Sequence, residues 1–363
     1  MTLRPDAESF KRLVDGRARG PAAGLARAGL AVLAAPYGLA VAVRNAAYDA
    51  GLLRITRAEV PVVSIGNLTL GGTGKTPLVA WTAGLLAAHG RRPVIVSRGY
   101  GARPGATSDE AAELAILLPD VPHVADRDRR RAAARAVAAG GDAVVLDDGF
   151  QHRRLARDLD IVAIDATDPT GCGRLFPRGL LREPLAGLSR AAAAVLTRAS
   201  AVDARARAKI RDRLAAACGG RLPAVWAEAD HEPVGLRDAA GGRRPLAELA
   251  GRRVFAFAGI GNPAAFRATL VGLGAEVVDF RPLPDHHPYA AADAELLGRA
   301  ASAVAAELVV TTLKDLVKIR RGDLGGRPVV AVEIAIAFRS GREPLEAALL
   351  AAVTGRPARG ATP

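Results

Sequence analysis

Residues 60–77, Val-Pro-Val-Val-Ser-Ile-Gly-Asn-Leu-Thr-Leu-Gly-Gly-Thr-Gly-Lys-Thr-Pro, impose an order of strand, glycine loop and helix. Val60, Val62, Val63 and Ile65 form an apolar β-branched run that predicts a buried strand. Gly71, Gly72 and Gly74 follow, and a helix is expected over Leu78–His89. Glycines let consecutive backbone N–H groups turn toward an anion, and the new helix adds the positive end of its dipole. Lys75 can reach β and γ phosphates and the Thr76 hydroxyl can ligate Mg²⁺, while Pro77 suits a first helical turn. Thr69, Leu70, Gly71, Gly72, Thr73, Gly74, Lys75 and Thr76 are therefore the nucleotide-contacting candidates. Thr69 stands where the pattern G-x-x-x-x-G-K-[ST] has its first glycine, and a purely structural turn is the alternative.

After this run, strands expected at 94–96, 143–146, 161–164 and 193–197 alternate with helical patterns such as Arg129–Ala139. Alternation of this kind predicts a parallel sheet covered by helices on both faces. A second series follows, with strands near 224–227, 254–258, 276–280, 308–311 and 329–334 and helices over 263–273 and 290–306. The expected fold class is α/β: a P-loop NTPase-like parallel sheet sandwiched by helices, a second smaller α/β lobe, and an N-terminal membrane-associated helix. The expected divisions are a basic, apolar helical segment at 1–58, a P-loop core at 59–202, a second lobe at 203–340, and a C-terminal helix with a disordered tail at 341–363.

The N-terminal division departs from an ordinary nucleotide-binding fold. Ala28–Val43 is uncharged, with Arg27 and Arg44 flanking it and Pro36 within it. At 16 residues it is shorter than the roughly 20 that a spanning helix needs. An amphipathic or shallowly inserted helix on an anionic leaflet is one reading, and a helix packed on the core is the other. A signal peptide is not expected. The chain's formal net charge of +13 suits an anionic partner of several kinds. No aromatic-interleaved basic patch, zinc finger or RNA-binding strand accompanies it, so nucleic acid is not expected. Cys172 and Cys218 are far apart and give neither a disulfide framework nor a zinc site, which fits a reducing compartment.

Other constellations carry chemistry. Val144-Val145-Leu146-Asp147-Asp148 is a strand ending in two carboxylates, where P-loop enzymes order Mg²⁺, and Gln151 is a further candidate metal contact. Ser97-Arg98-Gly99-Tyr100 follows another strand, with Arg98 a possible phosphate contact. Asp109 reads either as a catalytic carboxylate or as the first residue of a helix capped by Ser108. Asp285-His286-His287 occupies a polar loop and offers metal ligands or a proton-transfer histidine. Gly259-Ile260-Gly261-Asn262-Pro263 is a turn into a helix without a phosphate-binding lysine.

Together these stretches resemble the tetraacyldisaccharide 4′-kinase family. The shared series also includes Asp147-Asp148-Gly149-Phe150-Gln151-His152, Gly173-Arg174-Leu175, Leu181-Arg182-Glu183-Pro184 and Lys314-Asp315. Leu313 departs from the family's usual Glu and leaves the role of Thr312–Asp315 open. The resemblance implies an ATP- and Mg²⁺-dependent lipid kinase of lipid A biosynthesis, and a monomer is expected. It would phosphorylate the 4′-hydroxyl of a tetraacylated glucosamine disaccharide 1-phosphate at an anionic membrane surface, the cytoplasmic face of the inner membrane. It implies catalytic roles for Asp109, His286 and Lys75, and a metal neighbourhood of Thr76, Asp147, Asp148 and Gln151. A histidine in the second lobe would complete such a site on closure. A membrane-associated P-loop ATPase switch and a P-loop ligase of a small cofactor are the rivals. Leu70 stands where such a switch needs a lysine.

Overall fold

The computed structural model describes residues 7–99, 108–285 and 287–355. Helices Ala7–Val14 (α1) and Pro21–Asp49 (α2) lead into Val62–Gly66 (β1), Lys75–Ala88 (α3), Pro93–Ser97 (β2), Asp109–Leu117 (α4), His123–Ala125 (β3) and Arg129–Ala138 (α5). Next come Ala143–Asp147 (β4), Leu159–Asp165 (β5), Ala193–Thr197 (β6), Ala204–Ala217 (α6), Val225–Asp238 (β7) and Arg243–Arg244 (β8). Arg253–Ala258 (β9), Pro263–Gly272 (α7), Glu276–Pro282 (β10), Ala291–Ala303 (α8), Leu308–Thr312 (β11) and Leu313–Ile319 (α9) continue the series. Asp323–Leu324 (β12), Arg327–Ser340 (β13) and Arg342–Thr354 (α10) close it.

Two compact units result. The first takes the described residues through 99 together with 120–231 and those from 336 onward; the second takes 108–119 and 232–335. The expected boundary at 202 falls inside the first unit, because α6 buries Leu214 with Leu188, Leu196 and Phe150 in that unit's core. α4 belongs to the second unit and α10 to the first, where α10 packs on β1 and β5. The 14-residue strands β7 and β13 each pass from one unit into the other.

In the first unit the strands run β7-β6-β5-β1-β4-β2-β3, and every pairing along that path is parallel. β1, β2, β4, β5 and β6 are buried along their whole length, the pattern expected where helices cover both faces. β1 sits between β4 and β5, so the chain leaves it toward β2 on one side and returns on the other. Ligands of open parallel sheets bind outside the carboxyl ends of the strands at such a reversal. Gly66 makes this end tight: a Cβ there would lie 2.5 Å from the Phe150 Cβ, so only glycine lets the Asp-Gly-Phe turn rest on β1.

The second unit pairs β10-β9-β11-β13 in parallel, with β8 antiparallel to the end of β7 and β12 antiparallel to β13. Phe255, Phe257, Leu297, Val309 and Leu316 fill one side of that sheet and Val254, Phe266, Leu270 and Val310 the other.

α2 is longer than its uncharged run. It spans 29 residues, about 44 Å at 1.5 Å per residue, and carries Pro36 inside it. Arginine is a good helix former, so Arg27 and Arg44 do not end the helix; Pro21 starts it and Gly51 follows its close. Leu25, Val32, Leu33, Leu39 and Val43 are exposed, and only Val41 and Tyr48 are buried. By length and composition α2 is long and apolar enough to cross a membrane. Polar contacts tie it to the first unit: the Tyr37 hydroxyl donates to the Arg182 carbonyl (2.7 Å), and Arg153 pairs with Asp49 at 2.6 Å.

Candidate active site

The loop between β1 and α3 is shaped from within. The Asn67 side-chain amide donates to the Thr69 carbonyl (2.8 Å) and the Thr73 hydroxyl (3.1 Å), and both threonines are buried. The Leu70 N–H donates to the Leu180 carbonyl at 2.7 Å. Beyond it, among the described residues, the N–H groups of Gly71, Gly72, Thr73 and Gly74 donate to no protein acceptor. A Cβ on Gly71 or Gly72 would meet nothing within 4 Å, so the loop is uncrowded at these two positions. Gly74, in the left-handed region at φ 73°, hands the chain to α3, which begins at Lys75. Unpaired donors at a helix start are what a phosphate chain requires.

The end of β4 lies beside this loop, Ile65 being in register with Asp147. Lys75 Nζ is 3.5 Å from Asp148 Oδ1, and Arg182 Nη1 donates to both Asp148 oxygens at 2.8 Å. Burial alone would raise the Asp148 carboxyl, but Lys75 and Arg182 outweigh it and hold the group below the usual carboxylate range. Asp147 is buried and Thr76 half-buried on the first turn of α3. Hydroxyl and carboxylate oxygens are the hard donors Mg²⁺ prefers. Among the described residues no group of three or more His, Cys, Asp or Glu could hold a metal without other ligands.

Gln151 has its side-chain nitrogen committed, donating to the Asn67 carbonyl (2.8 Å) and to Glu183 Oε1 (3.0 Å). Its oxygen lies 3.5 Å from Arg182 Nη1. The Glu183 side chain is fully buried and also accepts from Asn45 Nδ2 (3.1 Å) and Arg190 Nη2 (2.7 Å), joining α2 to the floor of the site. Burial and the nearby Arg129 lower His152 to about 4, so its ring is neutral at neutral pH. Arg182 and Glu183 stand in the Leu-Arg-Glu-Pro run, which signals charge without revealing its partners.

Asp109 and the Asp285 loop belong to the second unit. Ser108 caps α4, its hydroxyl accepting from the Ala111 N–H at 3.3 Å, so Asp109 is both a first-turn residue and a candidate base. Lys318 Nζ lies 3.9 Å from Asp109 Oδ2 and 3.0 Å from Asp315 Oδ1, and Lys314 Nζ lies 3.5 Å from Asp285 Oδ1. Desolvation lifts Glu113, one turn beyond Asp109 on α4, to about 7. Asp315 accepts from the Gly259 N–H (2.9 Å) and the Thr312 hydroxyl (2.7 Å), while Thr312 caps α9. The Thr312–Asp315 stretch is thus a helix cap that pins the Gly259 turn. His286 lies outside the described residues, as does Tyr100. Lys318 and Glu113 carry no sequence signal, because each lies within a helix and outside the motifs that mark the site.

Comparisons with known proteins identify the family of the chain. The model of the family described as tetraacyldisaccharide-1-P 4′-kinase matches residues 26–354. A protein of Anaeromyxobacter sp. (strain K) named tetraacyldisaccharide 4′-kinase is 43% identical, over 93% of this chain and 94% of its own. One of the same name from Syntrophus aciditrophicus (strain SB) is 40% identical, over 78% and 82%. A crystal structure of LpxK from Aquifex aeolicus, an "apo" form in complex with ATP, superposes with a TM-score of 0.71 at 30% identity, covering 90% of this chain and 99% of that one. With the phosphate loop, the paired carboxylates and the match extending over nearly the whole chain, this protein belongs to the tetraacyldisaccharide-1-P 4′-kinase family.

Proposed function

We propose that the chain transfers the γ-phosphoryl group of ATP to the 4′-hydroxyl of a tetraacyldisaccharide 1-phosphate in lipid A biosynthesis, at the cytoplasmic face of the inner membrane. The observation that carries this reading is the row of uncommitted N–H groups from Gly71 to Gly74, followed by Lys75 against Asp148. The loop N–H groups and Lys75 bind the β and γ phosphates and offset charge as it develops on them. Asp109 takes the proton of the attacking hydroxyl with His286 assisting; the new O–P bond forms on the sugar, the bond to the β phosphate breaks, and ADP leaves. Thr76, Asp147, Asp148 and Gln151 are the residues assigned to Mg²⁺, which on binding neutralises phosphate charge.

The exposed leucines and valines of α2 support a membrane role. A lipid with four acyl chains stays in the bilayer, because each buried CH₂ is worth about 0.8 kcal/mol. We place the apolar surface of α2 in the inner leaflet, with Arg27 and Arg44 near anionic headgroups. The test is mass spectrometry of detergent-dispersed tetraacyldisaccharide 1-phosphate after incubation with the protein, Mg²⁺ and ATP. A bisphosphorylated lipid with the new phosphate on the 4′ oxygen is expected, and unaltered lipid alongside consumed ATP would refute the reading.

A further inference from the structure

The carbonyl side of the phosphate loop is held by three side chains that no catalytic step uses. Arg198 Nη2 donates to the Gly72 carbonyl at 3.2 Å. The Thr197 hydroxyl points at the Thr73 carbonyl (2.9 Å) and is shared with the Ile164 carbonyl (3.2 Å). The His231 ring lies against Gly74, its Nε2 3.2 Å from the Gly74 carbonyl. The fit is close: a Cβ on Gly74 would lie 1.9 Å from the His231 Cε1. Arg198 is anchored in turn by an ion pair with Asp165 at the end of β5.

A peptide plane points its C=O and the following N–H in opposite directions. Fixing the carbonyls of Gly72, Thr73 and Gly74 therefore also fixes the N–H groups of Thr73, Gly74 and Lys75 toward the opposite side. We propose that Thr197, Arg198 and His231 form a rear latch that sets the loop amides in their phosphate-binding orientation before ATP arrives. They are positioning residues and touch no reacting atom. Preorganisation of this kind strengthens binding because the loop need not be ordered when ATP enters. Burial, aided by Arg198, lowers His231 to about 4, so its ring is neutral. The carbonyl can only accept, which places the single ring proton on Nε2.

The latch rests on the reading of this loop as an ATP site, and one experiment separates the two. ATP affinity is measured by calorimetry on the full chain, and KM for ATP and for the lipid acceptor by turnover, in wild type, His231→Leu, His231→Gln, Thr197→Val and Thr197→Ser. Leucine fills the space without a donor, whereas the glutamine amide restores one at the reach of Nε2. His231→Leu and Thr197→Val should weaken ATP binding and raise KM for ATP roughly two- to tenfold, with KM for the lipid unchanged. His231→Gln and Thr197→Ser should restore most of the loss. Wild-type affinity in the donorless variants, or glutamine and serine as weak as leucine and valine, would overturn the latch. If His231→Leu does not fold, the Thr197 pair decides. Failure of wild type itself to bind ATP would refute the ATP reading before any variant is compared.

Discussion

The phosphate loop of the first unit and the Asp109 cluster of the second are built by different constructions. The loop binds through backbone, and its side chains mostly serve to aim that backbone: Asn67 inside it, with Thr197, Arg198 and His231 behind it. The Asp109 cluster is made of side-chain charges from α4, α9 and the Asp285 loop, held by ion pairs through Lys318 and Lys314. A backbone site needs a local run of glycines and one strand in register. A side-chain site needs distant segments brought together. The first kind loses function when the orientation of its amides is lost, and the second when a charge or proton is misplaced.

That contrast can be broken at several points. Lys75→Ala removes the one side-chain cation that the loop itself contributes, and turnover should fall by about 10³-fold, measured as kcat for lipid phosphorylation. Asp109→Asn removes a proton acceptor and leaves the loop untouched, so kcat should fall by about 10²-fold while ATP affinity by calorimetry stays at the wild-type value. A parallel loss of ATP affinity would mean that Asp109 contributes to the nucleotide site.

Glu113→Gln should have the smallest effect, on stability. In the folded chain Glu113 keeps its proton up to about 7, against about 4.5 when unfolded. Between those values the folded state binds more protons, so wild-type stability falls as pH rises through that window and stays lower above it. The Gln variant should therefore melt a few degrees higher than wild type at pH 8 by calorimetry, with the gain vanishing by pH 4. An equal gain at both pH values would remove proton linkage as the cause.

The same contrast explains what the sequence discloses. β1, the glycine loop and α3 are contiguous, so the hydrophobic period and the Gly-Lys-Thr pattern show them directly, and Asp147 and Asp148 follow from a strand with an abrupt acidic end. His231 lies 157 residues from Gly74, on a strand whose pattern shows nothing of the loop it contacts. Glu183 likewise reads as one acid in a basic run, although it is fully buried against Gln151, Asn45 and Arg190. Helix α2 is legible as apolar but not in its length, because the uncharged run stops at Arg27 and Arg44 whereas arginine continues a helix readily. The boundary of the first unit was hidden because β7 runs without a break from one unit into the other.

The central claim is that phosphate held by this loop passes to a lipid alcohol. It is tested most directly by following ATP labelled at the γ phosphate through a single turnover, with and without tetraacyldisaccharide 1-phosphate. The account predicts that the label moves into the lipid and that almost none is released as inorganic phosphate when lipid is absent. Lipid-independent release of labelled phosphate, with none in the lipid, would contradict it and favour an ATPase switch.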